Sequence, residues 1–164
     1  MKIRYLTSIE SVNFRGGNVL VALDYNDVLA LGASADNSGT PLNILPGGSD
    51  TLPAGTMVKF IAGWLDGGTG FDFSDAGITS LTLKLGDDGD DDRFRTAIEL
   101  AEDGTEIDYF TGPHATNDHV YPSANTVDAI FTSANGGSPL LSECTSGKVF
   151  LLFATANLTA APRA

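Results

Sequence analysis

Residues 77–101, GITSLTLKLGDDGDDDRFRTAIELA, leave this chain few ways to fold. Leu81, Leu83 and Leu85 alternate with Thr82 and Lys84, the period-two pattern of a strand with one buried face. The run GDDGDDD then breaks the pattern with charge that neither a strand interior nor a helix interior accepts. Beyond it Phe94, Thr96, Ile98 and Leu100 share one face, and Arg95, Ala97 and Glu99 the other. Two antiparallel strands joined by an acidic turn rich in Gly and Asp satisfy both halves.

The same alternation recurs along the chain. Lys2 to Ile9 places Ile3, Tyr5, Thr7 and Ile9 on one side, and strands are expected at Val19–Leu23 and Val28–Leu31, with Asp24–Asp27 as a hairpin turn between them. Gly32 to Thr51 is a 20-residue loop with a short apolar knot at Leu42–Leu45, either a surface connection or an interaction arm. After a turn at Thr51–Thr56, the strand Met57–Leu65 sets Val58, Phe60, Ala62 and Trp64 against Met57, Lys59, Ile61 and Leu65. Both faces are apolar, as in a sandwich strand or a subunit contact. Asp66–Gly77 is a glycine-rich loop carrying Phe71 and Phe73.

Past the acidic hairpin, Glu102–Thr105 forms a turn and Glu106–Pro122 runs irregularly through Tyr109, Phe110, Pro113 and Tyr121. Val127, Ala129 and Phe131 mark a strand over Val127–Thr132, Asn135–Pro139 turns the chain, and Lys148–Thr155 closes it with the apolar run VFLLFAT. Eight to ten strands at a spacing of roughly 8–12 residues, with no amphipathic helix, predict an all-β antiparallel sandwich or barrel. No linker divides the chain, so residues 1–164 read as a single domain.

At 164 residues the chain is long enough to bury roughly 70% of its unfolded surface, so it needs no disulfide or metal for stability. Its 21 acidic and 9 basic residues give a net charge of −12. A surface of that sign repels phosphate backbones and anionic headgroups, which argues against nucleic-acid and membrane partners. Cys144, the single cysteine, reads as a small buried apolar residue beside Leu140 and Leu141. The start MKIRYLTSIESV has no apolar core of a signal peptide, and no apolar run approaches the length of a membrane span. The Asn157-Leu158-Thr159 sequon reads as incidental.

Catalytic motifs are sparse. The chain has no phosphate-binding loop, nucleophile elbow, dinucleotide fingerprint or H-E-x-x-H. His114 and His119, five apart in a loop, read more simply as exposed residues than as a metal pair. Trp64 reads as core or interface before sugar platform. In EF-hand spacing Asp88, Asp90 and Asp92 take positions 1, 3 and 5 and Glu99 position 12, but position 6 is Arg93 where the bend demands Gly. A looser calcium site from Asp87, Asp88, Asp90, Asp91 and Asp92 is the alternative to a solvated turn, which is preferred. No cofactor is expected.

The segments LPAGTMVKFIAGWLDGG, SLTLKLGDDGDDDRF, VDAIFTSANGG and LSECTSGKVFLLFATANL, in that order, resemble virion structural proteins of tailed bacteriophages. Within that group the chain is similar to jelly-roll head decoration, or cement, proteins and related small head or tail-fibre proteins. The matching elements are the turn and strand at Leu52–Val58, the hairpin at Leu81–Phe94 and the closing strand at Gly147–Leu151. They are structural motifs and transfer no catalytic residue. The resemblance implies a jelly-roll-like core over residues 51–158, and leaves residues 1–50 as extra strands, a long loop and a possible capsid-binding arm.

It further implies a non-enzymatic protein on the capsid surface, made in the host cytoplasm. There it would oligomerise, as a homotrimer before a dimer, and clamp neighbouring copies of the major capsid protein. Met57, Trp64, Phe71 and Phe73 are the candidate interface residues. The other reading is a carbohydrate-binding or receptor-binding tail component that uses Trp64, Tyr109, Phe110 or Tyr121 as a stacking platform.

Overall fold

A computed structural model describes residues 1–7, 17–101, 107–111, 118–135 and 140–159. Its strands are β1 (Lys2–Tyr5), β2 (Val19–Asp24), β3 (Leu42–Leu45), β4 (Thr56–Leu65), β5 (Asp72–Phe73), β6 (Ser80–Asp87), β7 (Asp90–Glu99), β8 (Tyr109–Thr111), β9 (His119–Val120), β10 (Val127–Ala134), β11 (Cys144–Ser146) and β12 (Lys148–Asn157). The count exceeds the eight to ten expected because short strands such as β5 and β9, of two residues each, carry too little pattern to be read. Among the described residues one α-helix, α1 (Tyr25–Leu29), and two single 3-10 turns, at Asp66–Gly68 and Leu141–Glu143, interrupt them.

The 77–101 stretch is the hairpin β6–β7, and it is the tip of a longer folded ribbon. β6 pairs with β7, β4 with β8 and β9, β3 with β10, and β2 with β12, all antiparallel, so each pair encloses the next along the chain. Successive pairs alternate between two sheets, β1-β2-β12-β4-β8 with β9 also on β4, and β3-β10-β6-β7. A ribbon wound in this way is a jelly roll.

Apolar side chains of alternate parity meet between the sheets. Val19, Val21, Val149, Leu151 and Phe153 come from one side and Leu81, Leu83, Leu85, Val127, Ala129 and Phe131 from the other, all fully buried. Phe60 packs on Phe153 with ring centroids 5.3 Å apart, and on Phe110 at 6.0 Å. Gly63 is required here, because a Cβ would sit 2.3 Å from the Phe110 ring.

Two bulges revise the parity read from the sequence. Phe60 pairs with Phe153 and Ala62 with Leu152, so Ile61 is an extra residue in β4. Beyond it the strand flips: Val58, Phe60, Gly63 and Leu65 face the core, while Met57, Lys59, Ala62 and Trp64 face away. In β7, Leu83 pairs with Ile98 but Leu85 with Arg95, and the added residue leaves Thr96 and Ala97 both exposed. Thr96 therefore does not share the buried face of Phe94 and Ile98.

The expected turn at Asp24–Asp27 and strand at Val28–Leu31 are instead helix α1 and a turn. Asp24 caps the helix by accepting from the Asn26 N–H at 3.0 Å, and Asp27 answers by accepting from the Asp24 N–H at 2.9 Å. This reciprocal capping box fixes a helix start where only a turn was expected. Within the Gly32–Thr51 loop the apolar knot is strand β3, and Asn37 substitutes for a strand partner. Its Oδ1 accepts from Phe131 N–H at 2.7 Å and its Nδ2 donates to Ala129 O at 3.1 Å. With β2 and β3 built into the two sheets, residues 17–50 share one core with β4 to β12. The expected end of the first strand at Ile9 and the turns at Glu102–Thr105 and Gly136–Pro139 lie outside the described residues. Among the described residues no helix is long and apolar enough to cross a membrane.

Candidate functional site

The five aspartates of the β6–β7 turn divide into one anchored carboxylate and a solvated tip. Asp87, whose side chain is 1% exposed, ends β6. Its Oδ1 accepts from the Gly89 N–H at 2.9 Å, which tightens the turn. Its Oδ2 accepts from Arg93 Nε and lies 3.3 Å from the buried Tyr121 hydroxyl, which has Thr126 O at the same distance. Burial, and next the Asp87 charge, push the Tyr121 phenol far above its usual range, so it stays a neutral donor.

Arg93 Nη1 reaches to 3.5 Å from His119 Nδ1, and Arg95 Nη1 donates to Thr111 O at 3.2 Å. The two arginines thereby tie β7 to β9 and β8 across the edge of the sandwich. His119 packs edge-on to Tyr121 at 4.7 Å. Burial, and next the Arg93 charge, hold its imidazole below the ordinary histidine range. His119 is half-buried, where exposure was expected, and His114, the other loop histidine, lies outside the described residues.

Asp88, Asp90 and Asp91 are exposed and Asp92 is half-buried. β7 carries three extra residues between the Asp87–Asp90 and Leu85–Arg95 pairs, and they fold back over Gly86. A Cβ on Gly86 would stand 2.2 Å from the Asp90 carbonyl oxygen, so only glycine permits this approach. Carboxylate oxygens of Asp90, Asp91 and Asp92 come within 4.8 Å of one another. The hydrogen bond and charge shared with Asp90 raise the Asp92 carboxyl. Lys84 relieves part of that repulsion by donating to Asp91 at 2.9 Å.

Together with Asp128, Ile130, Ser38 and Pro41 this tip lines a cup of about 530 Å³. Asp128, 6% exposed, accepts from Thr126 Oγ1 at 2.9 Å. Burial raises its carboxyl, and that hydrogen bond offsets part of the rise. Glu99, the twelfth position of the rejected EF-hand spacing, is at the opposite end of the hairpin. There Oε1 accepts from the N–H groups of Leu81, Leu100 and Ala101 at 2.7, 3.1 and 3.0 Å, and Oε2 accepts from Ser80 Oγ at 2.6 Å.

A second surface lies on the solvent side of the larger sheet. Ala22, Phe150, Trp64 and Tyr109 stand side by side across β2, β12, β4 and β8, and Leu20, Leu152 and Ala62 form the neighbouring row. Trp64 stacks on Phe150 at 5.5 Å and 26°, with Lys148 Nζ 5.6 Å from the Phe150 ring centre. Tyr109 is 52% exposed, while Leu152 is nearly covered, with Gly17 against it. Met57 pairs with the exposed Val120 farther along the same face.

Of the candidate interface residues, Met57 and Trp64 occupy this outer face. Phe71 and Phe73 are in the core, where Phe71 packs toward Phe131 at 6.5 Å. Phe110 and Tyr121, proposed as sugar platforms, are also buried. Cys144 is buried as well, its thiol pushed up to about 12 chiefly by burial, which leaves it protonated and unreactive near neutrality. Asn37, the part Glu99 plays at the hairpin base and the joining of Asp87, Tyr121 and Arg93 in one network were not foreseen from the sequence; for Asp24 and Asp27 the D-x-x-D capping spacing was the available signal. No protein-family model matches the chain, and neither a curated protein nor a solved structure matches it.

Proposed function

We propose that this chain is a non-enzymatic assembly subunit, a decoration protein that docks on a phage capsid through the outer face of its larger sheet. The observation that carries the docking surface is the apolar row Ala22–Phe150–Trp64–Tyr109, on the side of the sheet away from the core. Sheet faces turned to water normally alternate to polar residues. In this row Phe150 and Trp64 are half-buried and Tyr109 is exposed. Aromatic side chains grouped on a solvent-facing sheet surface mark contact surfaces. The capsid as partner and the homotrimer as its assembled form come from the sequence resemblance; the jelly roll agrees with that resemblance, although the fold hosts many functions.

The test is to add the protein to empty heads assembled from the major capsid protein encoded with it and to image them. Regular decoration that is lost in Tyr109→Asp supports the proposal. Tyr109 is exposed, so the variant should keep its circular dichroism spectrum. Removing an aromatic anchor typically costs about 2 kcal/mol or more, a drop of roughly thirtyfold in affinity. Absence of wild-type protein from the heads overturns the reading.

The carbohydrate reading keeps one observation in its favour: Tyr109, beside Trp64 in register, offers an exposed ring. Trp64 already has one ring face occupied by Phe150, which weakens it as a flat platform. Glycan-array binding that vanishes in Tyr109→Ala, with no head decoration, would favour this reading instead.

A further inference from the structure

We draw no further inference here: the strongest candidate, the acidic cup between the β6–β7 turn and Ser38–Pro41, is a cluster of carboxylates with no second sign of a ligand, its buried members Asp87 and Asp128 already being bonded to Arg93, Tyr121 and Thr126.

Discussion

Asp87 and Asp88 are adjacent and chemically identical, yet they belong to different parts of the molecule. Asp87 is buried, holds Arg93 and Gly89, and approaches Tyr121, whereas Asp88 is exposed. The first joins the tip of the ribbon to Tyr121, just beyond β9. The second contributes only charge. Position relative to the last core pair of the hairpin, not residue type, decides which role an aspartate takes.

The largest expected effect breaks the anchored side. Asp87→Ala leaves the Arg93 guanidinium without its buried partner and the Gly89 N–H without its acceptor. Breaking a buried pair from one side costs about 3–5 kcal/mol. Arg93 keeps some access to water, so the expected loss is near the lower end, about 3 kcal/mol. Asp88→Ala should stay within about 0.5 kcal/mol. Urea melts of the two variants measure both, and equal midpoints would erase the distinction between them.

Glu99 extends the comparison to the base of the hairpin. Glu99→Ala removes an acceptor serving three backbone N–H groups and one hydroxyl. Each such bond nets about 1 kcal/mol, but the freed groups near the strand ends can be rehydrated, so about 2 kcal/mol is expected. Hydrogen exchange at Leu81 and Ala101 should accelerate in this variant and not in Asp88→Ala, whereas the Leu100 N–H keeps its bond to Leu81 O at 2.8 Å. Unchanged protection would show that the Glu99 carboxylate does not hold the hairpin base.

Asp128 tests the cup by pH. Its carboxyl is raised, so the folded state disfavours the charged form. The penalty is present above the folded pKa and is relieved as pH falls through it; below the ordinary carboxylate range wild type carries none of it. Asp128→Asn can still accept from Thr126. The variant should therefore be the more stable at pH 7, by on the order of 1 kcal/mol or less, with the difference shrinking toward about pH 3. A variant less stable than wild type at pH 7 would mean that the charge is favoured where it sits.

These contrasts also show what the sequence could and could not tell. Alternation at Leu81–Leu85, Val19–Leu23 and Val127–Phe131 was legible because one buried face imposes period two over several residues. The bulges at Ile61 and between Arg95 and Ile98 were not, because an inserted residue leaves no mark in composition: the second turns Thr96 out while Phe94, Ile98 and Leu100 stay buried, and the first reverses the facing of Ala62 to Leu65. That reversal is what put Trp64 on the outer face rather than beside Phe60. The nested pairing of β2 with β12 and β3 with β10 joins segments far apart in the chain, which no local pattern encodes. Within GDDGDDD five aspartates look alike, and only the three-dimensional approach of Arg93 and Tyr121 singles out Asp87. Asn37 had no signal at all, since a loop asparagine that caps a strand resembles any other.

The smallest expected effect concerns the tip alone. Asp88 and Asp90 are exposed, and Asp90 adds a hydrogen bond from the Asp92 N–H only at 3.4 Å. Replacing both with Asn keeps the size and the turn-forming amide oxygen, and it removes charge from a crowded group of carboxylates. As a solvated tip, the double variant should differ from wild type by no more than about 0.5 kcal/mol, with the sign toward stability because like-charge repulsion is reduced. A calcium site at the same carboxylates predicts the opposite. Calcium would then stabilise wild type by RT ln(1 + [L]/Kd), and the double variant would lose that gain with its ligands. Thermal melts of both proteins with and without millimolar calcium separate the two, with magnesium at equal ionic strength as the control for screening. The expected result is the same small shift for both ions in both proteins. A rise of several degrees with calcium in wild type alone would turn the solvated tip into a binding site.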